Sequence, residues 1–229
     1  MKLAIVTGSA HGLGYELSKQ LIEQGWDVCG IDFDAKAQED NSKELGGAYH
    51  AFTGDVTDEN FCMQTLESIE KIGHVDMLIN NAGQPVFKKP ADYTASDVAK
   101  CLKGLEGMII WSAQTLRLVN EQNVTLVNIM STAATRGNAQ ESVYCATKWG
   151  ERGYTESLKA AYKGSSVKVV GVYPGGIDTN FYEESRDYVS EEKQHSFMPA
   201  KDLAQVIIYN LTTEANLMVT NLLIERNYQ

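Results

Sequence analysis

No cluster of lysine or arginine occurs in this chain. Its 20 basic residues are outnumbered by 30 acidic ones, for a formal net charge of -10, whereas a nucleic acid duplex or an anionic membrane is held through a basic surface. Neither is expected as a partner, and the acidic balance is read as solubility. Long apolar runs are missing too. No window approaches the length of a membrane span, and the short apolar stretch after Lys2 stops at Thr7-Gly8, which fits a first strand and not a signal peptide. The cysteines (Cys29, Cys62, Cys101 and Cys145) form no CxxC pair and no metal-ligand spacing with histidine. They are expected to be reduced, mostly buried thiols of a cytoplasmic protein. The histidines (His11, His50, His74 and His195) are scattered and suggest no metal site. With no linker, repeat or low-complexity tract, 229 residues of which 43% are hydrophobic are expected to form one domain over residues 1–229.

What is present is organised around Thr7-Gly8-Ser9-Ala10-His11-Gly12-Leu13-Gly14. Ahead of it, Leu3 to Val6 reads as a buried strand; behind it, Leu13, Leu17 and Leu21 share one helical face. Strand, glycine turn and helix make the first half of a dinucleotide-binding βαβ unit. Gly8 permits the tight turn, Gly12 lets backbone amides approach a pyrophosphate, and Gly14 lets the helix pack close to the sheet. The helix N-terminus, with unpaired N–H groups and a partial positive charge, stabilises a diphosphate. A second strand from Trp26 to Ile31 stops at Asp32, where an acidic residue about 20 positions past the turn hydrogen-bonds an adenosine ribose. A carboxylate there repels a 2′-phosphate, so NAD(H) is favoured over NADP(H). The simpler reading is that Asp32, with Asp34, caps the next helix.

Further strands are expected at Ala48–Phe52, Asp76–Ile79, Val124–Ile129, Val167–Tyr173 and Leu217–Ile224, and long helices at Ser96–Val119 and Val143–Tyr162. Val98, Leu102, Leu105 and Ile109 form one apolar stripe on the first of these helices. The segment from Thr179 to Met198 is polar, acidic and studded with aromatics, and reads as a mobile substrate lid; a helix begins at Pro199. Strands alternating with helices through right-handed crossovers predict an α/β fold, a doubly wound parallel sheet of seven strands ordered 3-2-1-4-5-6-7.

The chemistry centres on Ser131 with Tyr144 and Lys148. Tyr144 and Lys148, four apart on a helix, emerge on one face, and Ser131 ends the fifth strand at the edge where open α/β sheets bind ligands. A free tyrosine, with pKa about 10, is a poor base near neutrality. An ammonium at about 4 Å interacts with a phenolate by about 4 kcal/mol at an effective dielectric of about 20. That is enough to lower the tyrosine by about two to three units before lysine desolvation. Tyr144 would then exchange a proton with an alcohol or carbonyl oxygen while a hydride moves to or from a nicotinamide.

These motifs, with Asp55 after the third strand, the Asn80-Asn81-Ala82-Gly83 run, and Pro174-Gly175 followed by Thr179, resemble the single-domain branch of the short-chain dehydrogenase/reductase family. The resemblance covers nearly the whole chain and implies a single-domain Rossmann fold. It implies Tyr144 as acid/base, Ser131 holding the substrate oxygen, and Lys148 binding the nicotinamide ribose and tuning Tyr144. Cofactor contacts are implied at Gly8, Ser9, His11, Gly12 and Leu13, at Asp32, Asp55 and Val56, and at Asn81, Ala82 and Gly83. Tyr144, Lys148, Pro174, Gly175, Ile177 and Thr179 complete the implied set, while Asn80 braces the sheet.

Two departures stand out. The family places an asparagine in the long helix before strand five, holding a water against the lysine; no Asn lies between Asn81 and Asn120, and the matching position is Gly104. A backbone carbonyl, Lys103 or extra water is left to replace it. No glycine follows Gly176, so the family's glycine-rich tail is absent and a tetramer contact there is not implied. A homodimer or homotetramer remains expected, with the two long helices as one pairing face. The expected activity is hydride transfer between NAD(H) and a small-molecule secondary alcohol or its carbonyl. The alternative is a dinucleotide-binding regulatory protein that kept the fold and lost turnover. Nearness to the motifs nominates Gln84, Val86, Arg136, Gln140, Gly176, Tyr182 and Phe197 as pocket residues, and the lid aromatics favour small or aromatic neutral substrates.

Overall fold

The computed structural model describes residues 2–185, 188–213 and 217–227. Six strands run through the body of the chain: β1 (Lys2–Thr7), β2 (Trp26–Asp32), β3 (Tyr49–Thr53), β4 (Val75–Asn80), β5 (Thr125–Ile129) and β6 (Lys168–Pro174). Two short strands, β7 (Ile177–Asp178) and β8 (Met198–Pro199), pair with each other. The last, β9 (Asn221–Ile224), joins the main sheet. That sheet has seven parallel strands in the order β3-β2-β1-β4-β5-β6-β9. It is the doubly wound order expected, with β9 as the seventh strand and shorter than Leu217–Ile224.

Helices cover both faces, which is why the inner strands are apolar on both sides rather than alternating. On one face, α1 (Gly12–Glu23) and α7 (Ala200–Thr212) bring Leu17, Leu21, Leu203 and Ile207 onto Ala4, Val6, Ile79, Val127 and Val172. On the other, α3 (Glu59–Glu70) and α4 (Ala95–Leu118) bring Leu66, Ile69 and Trp111 onto Leu3, Ile5, Ile31, Leu78 and Leu126. Two further helices, α2 (Ala35–Leu45) and α5 (Ser142–Ala161), flank the sheet. Caps start several helices where the sequence provides them. Asp34 accepts from Ala37 N–H, Asp58 from Asn60 and Phe61, and Thr94 with Asp97 forms a capping box. The four cysteines are free and buried, and burial pushes the Cys29 and Cys62 thiols up to about 12.

The apolar stripe of α4 lies beside its buried face, with Val98 and Leu105 half-buried. Cys101, Gly104, Met108, Trp111 and Thr115 are buried, while Leu102 and Ile109 are each 40% exposed. A Cβ on Gly107 would stand 2.8 Å from a methyl of Val56, so glycine there lets the buried face, with Trp111 in its middle, close on the neighbouring loop. The segment expected as a mobile lid is folded across the sheet edge, as a 3-10 turn over Asn180–Ser185 and a short helix α6 (Glu191–His195). Gln194 and His195 tie it to Asp178 at 2.8 and 3.1 Å, and β7–β8 closes its base. Positions 186–187 of that segment lie outside the described residues.

Glycines divide into those that must be glycine and those that need not be. A Cβ on Gly14 would lie 1.9 Å from the Gly8 carbonyl oxygen, whereas one on Gly153, in the exposed middle of α5, would meet nothing within 4 Å. Gly14→Ala is expected to lose at least about 2 kcal/mol through forced separation of turn and helix. Gly153→Ala should gain about 0.5–1 kcal/mol of helix propensity. Urea unfolding midpoints of the two variants should therefore move in opposite directions.

Candidate active site

Because every strand of the main sheet runs the same way, their C-terminal ends and following loops converge on one edge. A cleft of about 630 Å³ opens there, within the range of small-molecule and cofactor sites. One end lies over the first glycine turn. Gly8 has φ +66° and donates its N–H to Ile31 O at 2.8 Å, and Gly12 has φ +52°. Residue 11 caps α1 with no side-chain hydrogen bond, and the first turn carries no acidic residue. Among the described residues, the N–H groups opening α1 have no side-chain partner, and they face a concavity that a diphosphate suits. Gly12 also keeps room for Thr179, whose methyl would lie 3.0 Å from a Cβ there.

The surrounding loops are stitched to this turn. The Thr7 hydroxyl accepts from the N–H groups of Asn81 and Ala82 at 3.0 and 3.1 Å, and the Asn81 amide donates to Thr7 and Gly8 carbonyls. Asn80 is buried and donates to Ser112 on α4 and Asn128 on β5, and Asn128 donates to Thr155 on α5. Asp32, 8% exposed, accepts from Ala10 N–H at 3.0 Å and Asp34 N–H at 3.1 Å while still lining the cleft. His11 pairs with Asp34 at 2.8 Å. Asp55 accepts from Thr57 and pairs with Lys103 at 2.6 Å. Partial burial raises its carboxyl, but these partners outweigh it and hold Asp55 below the usual carboxylate range.

At the other end of the cleft stand Ser131, Tyr144 and Lys148. Ser131 opens a 3-10 turn over Thr132–Ala134 and accepts from Ala133 N–H at 3.1 Å. Tyr144 is half-buried and lines the cleft. Burial pushes its phenol well above the ordinary value; the carboxylates of Glu151 and Glu141 push the same way, and a hydrogen bond with Ser131 opposes them. The ammonium of Lys148 lies 5.7 Å from the Tyr144 ring centre, but its partner is Glu151, whose two oxygens it reaches at 3.0 and 2.8 Å. Two groups that the spacing of Tyr144 and Lys148 does not reveal therefore act against the expected lowering: burial, which raises the phenol, and Glu151, which pairs with the lysine.

Aromatic rings wall this end. Phe87 meets Tyr144 edge-on at 5.3 Å, stacks on Tyr182 at 5.8 Å and packs on Tyr188 at 4.9 Å; Phe197 lies 5.4 Å from Tyr182. Tyr188 donates to Glu141 at 2.5 Å, and Asn138 holds the other Glu141 oxygen at 2.8 Å.

The cleft gathers Gly8, His11, Gly12, Leu13, Asp32, Asp55, Val56, Asn81, Ala82, Gly83, Pro174, Gly175, Ile177 and Thr179 with the Ser131, Tyr144 and Lys148 group. Ser9 is the exception. It is fully buried behind the turn, and its hydroxyl accepts from Tyr49 and Gln38. Of the nominated pocket residues, Gln84, Arg136, Gly176, Tyr182 and Phe197 line the cleft. Val86 and Gln140 do not; their carbonyls accept from the Tyr93 hydroxyl, fixing one loop against another. Tyr188 enters as one of the lid aromatics, whereas Phe87 and Glu141 were missed, since nothing in their spacing marks them. Glu151 was signalled only as an acid one helical turn beyond Lys148.

Comparison with known proteins agrees with this architecture. The sequence profile of the family described as short chain dehydrogenase matches residues 2–190. The chain is similar to a 3-oxoacyl-[acyl-carrier-protein] reductase of Haemophilus influenzae, with 29% identity over 93% of this chain and 92% of the relative. It is also similar to the serine 3-dehydrogenase of Agrobacterium fabrum, with 28% identity over 77% of this chain and 72% of that one. A closed serine dehydrogenase complexed with NADP+ shares the fold at a TM-score of 0.90 and 23% identity, over 98% of this chain and 94% of that one. With its seven-stranded parallel sheet and this match over most of its length, the chain belongs to the short-chain dehydrogenase family and is an oxidoreductase of that family.

Proposed function

We propose that this protein transfers a hydride between NAD(H) and a small secondary alcohol or its carbonyl, with Tyr144 exchanging the proton. The observation that carries the reading is the placement of Ser131, Tyr144 and Lys148 at one end of a cleft whose other end is the side-chain-free N-terminus of α1. The concavity between Gly8, Gly12 and Thr179, which a Cβ at residue 12 would crowd, fits a dinucleotide diphosphate. When bound, that cofactor supplies the hydride donor or acceptor. The chain's own residues do the rest. Gly8, Gly12 and Leu13 hold the diphosphate, Ser131 holds the substrate oxygen, Lys148 holds the ribose, and the aromatic wall excludes water.

Tyr144, raised by burial, keeps its proton through the neutral range. It is therefore set up to donate to a carbonyl oxygen. Phe87, Phe181, Tyr182 and Phe197 around the phenol favour a small neutral substrate with a flat or aromatic body. Asp32 at the far end supports NAD(H): its carboxylate lines the cleft and would face a 2′-phosphate with like charge. A relative in the fold was solved with NADP+, so this preference is proposed for this chain alone. Asp55, Val56 and the Asn81–Gly83 segment flank the adenosine. Leu102 and Ile109 on α4 and Trp149 on α5, 40–48% exposed, are proposed as the pairing face of a homodimer.

A second reading has its own support. With Lys148 neutralised by Glu151 and Tyr144 covered by rings, the same site would suit a protein that binds the dinucleotide without turning it over. Nicotinamide absorbance with a panel of ketones and diketones separates the two, since a pure binder takes up NADH and never oxidises it.

Tyr144→Phe is expected to cut carbonyl reduction by at least about 100-fold while calorimetry finds NADH affinity within about twofold; comparable activity would remove Tyr144 from the mechanism. The wild-type pH profile follows from its raised phenol. Reduction should stay level across the neutral range and fall only as Tyr144 deprotonates, while alcohol oxidation should rise about tenfold per pH unit below that point. Asp32→Asn, which keeps an acceptor for the Ala10 and Asp34 amides, should shift the NADH to NADPH ratio of kcat/KM by at least about tenfold toward NADPH. An unchanged ratio would refute the role given to Asp32. Sedimentation equilibrium should return a dimer for the wild type and a monomer for Leu102→Glu with Ile109→Glu; a monomeric wild type would refute the pairing face.

A further inference from the structure

The partner of Lys148 is the least expected feature of the site. Both members of the pair are buried, with the Lys148 side chain 6% exposed and that of Glu151 1%. Assembling such a pair in the interior opposes folding more often than it assists it. The inward face of α5 otherwise carries uncharged groups, Cys145, Thr147 and Thr155, so packing alone gives no reason for a carboxylate there.

Space for that carboxylate comes from the facing helix. A Cβ on Gly104 would stand 3.2 Å from Glu151 Oε1, 3.3 Å from the Ala82 carbonyl and 3.4 Å from Gly83 Cα. Glycine at 104 and glutamate at 151 are thus matched in size across the α4–α5 contact. Lys103, the charged alternative in the same turn, is turned away to Asp55. Two of the three ammonium donors of Lys148 are engaged by Glu151, which leaves one for a ligand in the cleft. The ammonium also lies beside Gly83, 3.8 Å from where its Cβ would be.

We propose that Glu151, admitted by Gly104, is the positioning residue for Lys148 and, by offsetting its positive charge, sets how tightly Tyr144 holds its proton. The proposal rests on the reading of Tyr144 as the proton-exchanging group. The charged and titratable groups around the pair are few. Lys148 acts on Glu151 from the same helix, Tyr144 feels Glu151 two turns along α5 and Glu141 just before it, Tyr182 feels Tyr144, and the Cys101 thiol on α4 feels Lys148. Lys100 lines the same cleft. Near a lone ammonium the Tyr144 phenolate would be favoured; near a neutral pair it is not, so the phenol stays a proton donor. The raised direction of Tyr144, with Glu151 among its causes, agrees.

Two variants test this. Glu151→Gln keeps the shape and one acceptor but removes the charge. The acid limb of kcat/KM for alcohol oxidation should then move to lower pH by about one unit, a tenfold change in proton affinity, with NADH affinity by calorimetry within about threefold of wild type. Glu151→Leu leaves Lys148 without its anchor and should weaken NADH binding by at least about tenfold. A Gln profile superimposed on wild type, or a folded Leu variant that binds NADH as tightly as wild type, overturns the proposal. The calorimetric comparison decides it even for a wild type without turnover, a result that would strike the oxidoreductase reading instead.

Discussion

The carbonyl of Gly8 occupies the place where a side chain on residue 14 would begin. That contact fixes how the first turn leaves β1 and how α1 starts, and the rest of the cleft is assembled against it. Because the turn is so tight, the opening N–H groups of α1 point over the sheet edge and away from the core. A bulkier turn would carry the helix outward and spread its partial charge into solvent, where it is screened. The parallel direction of the strands does the remainder. It sends the ends of β4, β5 and β6 to the same edge, so residues far apart in the chain meet within one cavity.

Polar side chains around that edge divide into two kinds. Ser9, Asn80, Asn128 and Thr7 satisfy other protein groups and hold neighbouring loops together. Burial is affordable for them only because each has a partner. Asp32 does both, accepting from two backbone amides while keeping a face on the cleft. Residue type alone does not separate these roles; the location of the free lone pair does.

Charge at the far end follows the same economy of partners. Tyr144 sits among rings that exclude water, so its neutral form is favoured there. Lys148 by itself would favour the phenolate, and its pairing with Glu151 offsets that pull. On the role proposed for Glu151, how tightly the phenol holds its proton depends on a carboxylate paired with Lys148 and on a glycine in another helix that leaves it room.

Much of this was legible in the chain. Apolar runs of four to seven residues, each stopped at a glycine or a polar turn, determined the strands and the order of the sheet. The glycine spacing and the four-residue step from Tyr144 to Lys148 determined which side chains share a surface, because those are properties of local backbone geometry. What the sequence left open were matters of facing and of partnership. The stripe of Leu102 and Ile109 fitted a pairing face or core, because helical period says nothing about which side meets the body of the fold; the side of Gly104, Gly107, Trp111 and Thr115 is the buried one. Ser9 looked like a ligand contact until Tyr49, forty residues on, claimed its hydroxyl. Lys148 looked free to act on Tyr144 until the fold set Glu151 beneath it. Only tertiary structure decides such pairings, since a buried charge answers to whatever the folded chain places within about 3–4 Å of it.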